Sequence, residues 1–352
     1  MENKILPIAA FFISLLFINS CKKNNPNITA PAAPGVYITN EGGYANGNGD
    51  ISFYNPANNE VTNNLFQNIN NFKLGDVIQS MYIKDSTGFI VVNNSQKIVV
   101  VKIPSFTHIK TIIIPNSSPR YFQPVNDSVA YVTDLYAGKL HIINYKNGTV
   151  VKEITQMSKW TEHMVTLGNY VVIEERNLLS NPANTCSIAT INTADNTFAQ
   201  RYSFTGSNIN GIAKDNQNRL WLAIDEDTAH SITASIKCLN PDFSLNKNIN
   251  FAAGHHPSSL CINGNRNKLY FFDTDIERIS IDDTIPPSVS FISNNGRNFY
   301  GLNIEPVSED IYVSDALDYV QPSRIYRYDK NGNLLSSFTA GIISCNFIFS
   351  NE

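Results

Sequence analysis

The sequence has few of the groups on which common protein chemistries depend. Only 16% of its 352 residues are charged, the formal net charge is −4, and no basic stripe occurs, so composition gives no reason to expect a nucleic-acid partner. Its five cysteines include no CxxC pair, which argues against a zinc site. A G-x-S-x-G elbow, an HExxH pair and a phosphate-cradling glycine loop are also missing. The common catalytic classes therefore have no support in the motifs.

Long helical periodicity is absent after residue 21, whereas short β patterns recur. Residues 130–154 contain three of them in a row, and the last two are joined by a turn with an Asn147-Gly148 hairpin signal. The 16 tyrosines and 20 phenylalanines suit strands, and a hydrophobic fraction of 42% is ample for a core. A meander of three strands cannot bury its own faces, so we expect further copies along the chain.

The N-terminus reads as a targeting segment. Residues 1–20 have a positive charge at Lys4 and an apolar core at 5–18, which is typical of a secretory signal peptide and too short for a convincing membrane span. Ile18-Asn19-Ser20-Cys21 resembles a bacterial lipobox and implies cleavage before Cys21 and lipidation of its sulfur. An ordinary signal peptide with a chance cysteine is the alternative. Residues 21–35 then form the lipidated cysteine and a flexible tether.

Localisation follows from this segment. A lipidated Cys21 predicts anchoring in the outer membrane. In Bacteroidota-type lipoproteins, which this segment resembles, an acidic run after the cysteine marks export to the cell surface; here Lys22-Lys23-Asn24-Asn25 follows the cysteine and lacks the acids. The face of the membrane, cell surface or periplasm, therefore stays open.

A β-strand pattern that ends in Asn, Asp or Glu recurs seven times at a spacing of roughly 40 to 50 residues, the range of propeller blades. Its copies lie at residues 36–40, 89–93, 130–134, 170–174, 220–225, 269–273 and 311–315. Six copies follow a further apolar strand, whereas the first follows only the tether. The chain ends instead with a spare strand at 343–349. A strand at that position can complete the first blade and leave no open sheet edge.

The pattern therefore predicts an all-β chain in which residues 36–352 form a seven-bladed β-propeller of four-stranded blades, with strands a to d in each blade. The C-terminal strand joins the first blade and closes the ring. A pair of β-sandwiches explains neither the period nor the displaced strand. Cys186, Cys238, Cys261 and Cys345 fall inside strands between apolar residues, so we interpret them as buried free thiols.

The connections divide into two faces, because b–c and d–a loops emerge at the same end of a blade. The loops at that end are longer and carry aromatic residues and arginines, the types favoured at binding hot spots. We predict this end to be the ligand-binding face. The candidate residues are Tyr44, Arg120, Asp134, Tyr136, Trp160, Glu174, Arg176, Asp225, His255, His256, Asp273, Arg297, Asp315 and Tyr319.

The acidic residues that end the b strands form a predicted ring around the mouth of the propeller. One interpretation is a cation site, for which Ca²⁺ would suit the oxygen ligands, although no cofactor is certain. The other is that each carboxylate accepts hydrogen bonds from the next turn, and recurrence in nearly every blade favours it. His255 and His256 are adjacent, and neighbouring strand residues point to opposite faces, which argues against one shared ion. His163 with Glu162 is interpreted as a rim pair.

The quartet Tyr131-Val132-Thr133-Asp134 resembles the Tyr-Val-Thr-Asn repeat of surface-layer-type propellers. The N-terminal third is similar to YVTN-type, YncE-like propeller lipoproteins of Bacteroidota. Its matching segments are Asn40-Glu41-Gly42, ISFYNP at 51–56, LGDVIQSM at 74–81, VNNS at 92–95 and SPRY at 118–121. Some members of that family are surface cobalamin-binding proteins that sit over a TonB-dependent transporter. The resemblance implies a monomeric, non-catalytic lipoprotein that captures a small nutrient for an outer-membrane β-barrel partner.

Two other functions stay open. Propeller lactonases use a few Asp, Glu and Asn residues around a central metal, so the acidic ring is compatible with a metal-dependent hydrolase. A structural or adhesive surface protein would instead bind other proteins through its broad face.

Overall fold

The structure is a computed structural model that describes residues 31, 34–176 and 185–350. The predicted signal peptide at 1–20 and the predicted lipidation site Cys21 lie outside the described residues. Within the described part of the chain, no helix is both long enough and apolar enough to cross a membrane. The one α-helix there is α1 (Leu65–Asn70), and two short 3-10 helices lie at Asn93–Ser95 and Thr228–His230.

Strands make up most of the described chain. In chain order they are β1 (Gly35–Asn40), β2 (Asp50–Asn55), β3 (Glu60–Thr62), β4 (Ile78–Lys84), β5 (Thr87–Val92), β6 (Lys97–Lys102), β7 (His108–Ile113), β8 (Pro119–Pro124), β9 (Val129–Asp134), β10 (Leu140–Asn144), β11 (Thr149–Ile154), β12 (Thr161–Leu167), β13 (Tyr170–Glu175), β14 (Thr185–Asn192), β15 (Thr197–Thr205), β16 (Ile209–Lys214), β17 (Leu220–Ile224), β18 (Ser235–Leu239), β19 (Leu245–Asn250), β20 (Ser258–Ile262), β21 (Lys268–Asp273), β22 (Asp275–Ser280), β23 (Phe299–Ile304), β24 (Ile311–Asp315), β25 (Pro322–Tyr328), β26 (Leu334–Ile342) and β27 (Ser344–Ser350).

These strands form seven antiparallel sheets arranged as the blades of a propeller. Blade 1 has the order β27-β1-β2-β3, and blades 2, 3, 4, 5 and 7 are the meanders β4–β7, β8–β11, β12–β15, β16–β19 and β23–β26. The innermost strands contact one another in succession around the whole ring. The seven-bladed propeller predicted from the repeat is confirmed.

The ring closes through β27, as the spare C-terminal strand predicted. β27 pairs antiparallel with β1, from Gly35 opposite Ser350 to Asn40 opposite Ser344. It therefore occupies the innermost position of blade 1, next to the innermost strands of blades 2 and 7. Because the first and last strands share one sheet, neither leaves an open edge in the ring.

The sixth blade has a reduced outer edge. Its sheet is β20-β21-β22, and the outermost position is taken by a segment that touches β22 through one bridge between Ile276 and Ile292. Both backbone N–H groups of that bridge are bonded, at 2.9 and 3.1 Å. The preceding Pro286 and Pro287 have no N–H to donate, which explains why this segment does not extend into a longer strand.

The hydrophobic core is divided among the seven spaces between neighbouring blades, each of which contains its own cluster of buried side chains. In β1, Tyr37 packs toward blade 2 whereas Ile38 packs toward blade 7. Each b strand has both faces covered by neighbouring blades, and this explains its nearly continuous apolar sequence. The four described cysteines are free and all lie in strands; Cys186 and Cys238 are buried, and Cys261 and Cys345 are partly buried.

We call the end of the propeller at which the a strands begin the upper face, and the opposite end the lower face. The b–c and d–a loops therefore lie on the upper face, and α1 belongs to the d–a connection between blades 1 and 2.

Candidate functional site

A β-bulge lies at the upper end of each innermost strand. In all seven strands the pairing register shifts there, and the second residue of the strand is left without a partner on the b strand. Bulges of this kind re-aim side chains at the rim of a sheet. Six of the seven residues line the central channel, and we call them the mouth ring. They are Gln79, Arg120, Glu162, Ser259, Tyr300 and Cys345, and Asn210 holds the seventh equivalent position.

The central channel has a cavity volume of about 660 Å³. This volume falls within the range of roughly 300–1,000 Å³ that is usual for small-molecule sites. The charged side chains that line it are Glu41, Arg120, Glu162, Arg176, Lys214 and Arg266. The two carboxylates of this set lie near the upper face, whereas Lys214 and Arg266 lie toward the lower face.

A buried ion pair joins blades 3 and 4 within the mouth ring. Arg120 Nε donates to both oxygens of Glu162 at 3.0 and 3.1 Å, and its Nη2 donates to Oε1 at 2.6 Å. Arg120 Nη1 also donates to Gln79, and Trp160 Nε1 donates to Glu162. Burial alone would lower the pKa of Arg120, but the charge of Glu162 and its hydrogen bonds raise that pKa above its ordinary value. Arg120 therefore stays charged, and its hydrogen bonds to Glu162 fix it in place.

A second charged group stands beside it. Arg176 Nε donates to Glu174 Oε1 at 2.7 Å, and His163 Nδ1 lies 3.0 Å from Glu174 Oε2. Burial would raise the pKa of Glu174, yet Arg176 and His163 hold it below its ordinary value. The Arg176 guanidinium also lies 5.6 Å from the centre of the Trp160 ring, within cation–π range. His163 thus pairs with Glu174 and not with Glu162, which corrects the rim pair that the sequence suggested.

Glu41 and Tyr300 complete the mouth from blades 1 and 7. The Tyr300 hydroxyl donates to Glu41 Oε1 at 3.0 Å, and burial raises the pKa of the Glu41 carboxyl. Neither residue was among the sequence-based candidates, and neither were Gln79, Ser259 and Cys345. The one signal in the sequence was that Glu41 and Gln79 belong to motifs of the family resemblance.

The acids at the ends of the b strands mainly hold loops. Asp134 accepts hydrogen bonds from the backbone N–H groups of Ser118, Tyr136 and Ala137 at 2.8, 2.8 and 2.7 Å. Asp315 does the same with two backbone N–H groups at 3.0 Å. These contacts agree with the turn-holding interpretation for Asp134 and Asp315, whereas Glu174 of the same ring pairs with Arg176 and His163. No group of three or more His, Cys, Asp or Glu residues is arranged to hold a metal ion in the part of the chain that the structure describes.

The adjacent histidines of the upper face diverge. His255 Nδ1 lies 2.5 Å from Asp273 Oδ2, whereas His256 Nδ1 lies 2.8 Å from Asp225 Oδ1 on the neighbouring blade. Each histidine thus has its own carboxylate partner, as expected for side chains that point apart. The hydrogen bond to Asp225 raises the pKa of His256.

The remaining candidates lie outside the channel. Tyr44, Tyr136 and Tyr319 are exposed on the upper face. The Arg297 guanidinium packs 4.2 Å from the centre of the Tyr326 ring within blade 7. Of the fourteen candidates for the ligand-binding face, the structure therefore gathers Arg120, Trp160, Glu174 and Arg176 at the channel mouth and leaves the other ten around it.

The fold and the channel define a seven-bladed β-propeller with a central cavity of ligand size. The chain belongs to the family described as a domain of unknown function, DUF5074, whose model matches residues 34–341. No curated protein matches the sequence.

Solved structures show the same fold at low identity. A quinoprotein alcohol dehydrogenase-like protein from Bacteroides thetaiotaomicron VPI-5482 is 12% identical with a TM-score of 0.69, over 90% of this chain and 78% of that one. The computationally designed protein Ika8 is 10% identical with a TM-score of 0.60, over 92% and 91% of the two chains. Hydrazine synthase from Kuenenia stuttgartiensis is 13% identical with a TM-score of 0.57, over 74% and 85%. These likenesses concern the fold alone.

Proposed function

We propose that this protein is a non-catalytic binding lipoprotein that captures a small polar ligand in its central channel. The observation that carries the proposal is the cavity of about 660 Å³ lined by the mouth ring. Six of the seven bulges at equivalent positions place unlike side chains in the channel, which suits recognition of one asymmetric molecule more than repetition of a structural role.

The polar groups of the mouth are held in place before any ligand arrives. Arg120 is fixed by Glu162 and Gln79, and Arg176 is fixed by Glu174. Side chains that are already ordered lose little conformational entropy on binding, so their contacts contribute more fully to affinity. A rigid polar mouth of this kind favours reversible binding of a ligand that is not chemically altered.

The N-terminal sequence and the family resemblance support delivery of the ligand to a transporter. The lipobox-like sequence before Cys21 favours an outer-membrane anchor, and the resemblance to propeller lipoproteins of Bacteroidota favours a TonB-dependent β-barrel partner. A cobalamin-like ligand is the candidate that this resemblance offers. Metal-dependent lactone hydrolysis is the weaker proposal, because the rim acid Asp134 already accepts three backbone hydrogen bonds.

Calorimetry on the purified mature protein tests the proposal. Cyanocobalamin, haem and neutral oligosaccharides are titrated separately, and we expect one of these classes to bind in the channel. Arg176→Met should weaken that binding about tenfold, the usual effect of losing one hydrogen bond to a charged group. Arg324→Met is the matched control, since Arg324 bonds to Ser337 within blade 7 and does not line the channel.

Two results would contradict the proposal. One is the absence of binding by every ligand class. The other is equal binding by wild type and Arg176→Met, which would place the ligand elsewhere. Lactone hydrolysis that requires added Ca²⁺ would favour the hydrolase instead.

A further inference from the structure

The lower end of the central channel carries positive charge without a matching acid. Lys214 ends β16 in blade 5, and Arg266 lies in the a–b turn of blade 6; both line the channel. Among the ion pairs of the described residues, neither side chain has a carboxylate partner within 4.0 Å. The arginines of the upper mouth differ in this respect, since each is bonded to a buried glutamate.

Asp215 follows Lys214 in sequence, and Glu309 bonds to the turn that contains Arg266; both acids have other hydrogen-bond partners. The Asp215 carboxylate accepts a hydrogen bond from Arg219 Nε at 2.7 Å and another from Trp221 Nε1 at 2.9 Å. Glu309, from the a–b turn of blade 7, accepts bonds from the side-chain amides of Asn263 and Asn265 at 2.6 and 2.9 Å. Asp215 is thus paired with Arg219, and neither carboxylate forms an ion pair with Lys214 or Arg266 in the described structure.

The surroundings of Lys214 agree with this geometry. Partial burial lowers the pKa of its ammonium group, and the neighbouring charge of Arg266 lowers it further. Both effects act against a positive charge on Lys214, and no carboxylate opposes them. An anion placed between the two side chains would relieve this repulsion.

Two neutral donors line the same part of the channel. Thr166 near the end of β12 offers a hydroxyl group. Asn303 near the end of β23 uses its amide oxygen to accept the Phe347 N–H at 3.1 Å, which leaves its NH₂ group as a donor. The lower end therefore presents two cations and two neutral donors, and no acid among the described residues that line the channel at this end.

We propose that this lower end binds the anionic group of the ligand, so that the protein selects small organic anions that bear a carboxylate or a phosphate. The proposal rests on ligand binding in the channel and adds the class of ligand. The rest of the molecule would extend toward the upper mouth, where Arg120 and Arg176 are neutralised by their own glutamates and supply hydrogen bonds without excess charge.

The test is calorimetry on the mature protein with inorganic phosphate and with succinate as separate probes. We expect at least one probe to bind, more weakly as salt rises because a charged site is screened. Lys214→Met and Arg266→Gln should each reduce its affinity about tenfold. The control is Lys330→Met, which removes a lysine of the lower face that does not line the channel and should leave affinity unchanged. Comparing the two probes distinguishes phosphate from carboxylate recognition.

The proposal is overturned if neither probe binds, or if binding is the same in Lys214→Met as in wild type. A neutral ligand whose binding depends on Arg176 but not on Lys214 would also overturn it while leaving the capture function intact. Thermal unfolding of each variant checks that a loss of binding does not come from misfolding. Neither side chain makes an ion pair in the described structure, so both variants should melt within a few degrees of wild type.

Discussion

At the scale of single residues, the channel mouth depends on the buried ion pair between Glu162 and Arg120. Glu162 is almost fully buried, and its partner Arg120 is largely so. We expect Glu162→Gln to lower the free energy of unfolding by about 3 kcal/mol, because removing one member of a buried ion pair leaves the other charge uncompensated. Urea denaturation followed by intrinsic fluorescence measures this loss.

The control for that prediction is a solvent-exposed ion pair on the surface of the protein. Lys139 and Glu153 are joined at 2.7 Å, but both side chains are more than a third exposed. Lys139→Met should cost no more than about 1 kcal/mol, since solvent screens exposed pairs. Equal losses in the two variants would show that burial of the Arg120–Glu162 pair has no special role.

Asp50 gives a pH-dependent prediction at the same scale. Its carboxylate accepts backbone hydrogen bonds from Ile51, Phe66 and Gln67 and so holds the start of α1 against β2. Burial outweighs these bonds and raises its pKa from 3.8 to about 6. The folded chain therefore binds more protons than the unfolded chain between those values, so this carboxyl's contribution to stability is present below pH about 4 and is lost as pH rises through about 6.

Asp50→Asn removes that contribution. Between pH 4 and pH 7 the wild-type protein should lose on the order of 2 kcal/mol more of its unfolding free energy than the variant loses. Chemical denaturation of both proteins at several pH values measures the difference, with the exposed Asp127→Asn as the matched control. Parallel pH profiles for wild type and Asp50→Asn would contradict the prediction.

At the scale of elements, the ring depends on one strand contributed from the far end of the chain. β27 supplies the buried Phe347 to the cluster between blades 7 and 1. Deleting residues 343–352 should expose the edge of β1 and abolish cooperative thermal unfolding, because a propeller with an open blade leaves strand edges unpaired. Differential scanning calorimetry measures the loss, and deletion of residues 351–352 alone is the control.

A second measurement separates closure from general damage. A synthetic peptide of residues 343–352 should bind the truncated chain by strand addition and restore a cooperative transition. A truncated chain that melts like wild type would show that β27 does not hold the ring closed.

The elements also explain what the sequence could reveal. The b strands could be predicted because both their faces are buried, so runs such as 220–224 are wholly apolar. The closing strand could be predicted because the first b strand has no apolar strand before it and the chain ends with a spare one. The bulges could not be predicted, because a bulge is a shift in backbone pairing with no fixed residue type, and Gln79, Glu162 and Ser259 share none. Most of the mouth ring was therefore missed, and Arg120 is its one member among the sequence-based candidates.

The pairing of side chains within the channel mouth could not be predicted from the sequence either. Arg120 and Glu162 are 42 residues apart and belong to different blades, so their pairing depends on how neighbouring innermost strands align. Local sequence instead suggested Glu162 with His163. The reduced edge of blade 6 had a local signal in Pro286-Pro287, since two successive residues without N–H groups interrupt a strand.

At the scale of the whole molecule, the two faces of the propeller have different relations to the chain ends. Gly35 and Ser350 pair at the lower end of blade 1, so both ends of the described domain leave from the lower face. If Cys21 is lipidated as proposed, the chain between Cys21 and Gly35 limits the distance of the lower face from the lipid to about 50 Å at full extension. An anchored propeller should therefore keep its lower face near the membrane and present its upper mouth away from it.

Labelling at one chosen position requires that the native thiols do not react with the dye. Burial raises the pKa of Cys238 to about 11 and that of Cys186 to about 12, and it also raises the pKa of Cys261 and Cys345. Because the thiolate is the reactive form, a maleimide dye at neutral pH should react with an introduced exposed cysteine and not with these four. The unsubstituted protein is the control for background labelling.

The orientation can then be measured by quenching. The full-length protein, lipidated at Cys21 as proposed, is labelled at Lys330→Cys on the lower face or at Tyr44→Cys on the upper face, both exposed positions, and is reconstituted in liposomes with a headgroup quencher. We expect the dye on the lower face to be quenched more strongly, because the chain leaves the propeller beside Gly35 on that side. Equal quenching would mean that the tether lets the domain tumble, and stronger quenching at position 44 would mean that the channel mouth faces the membrane. Either result would contradict the orientation inferred from the path of β1 and β27.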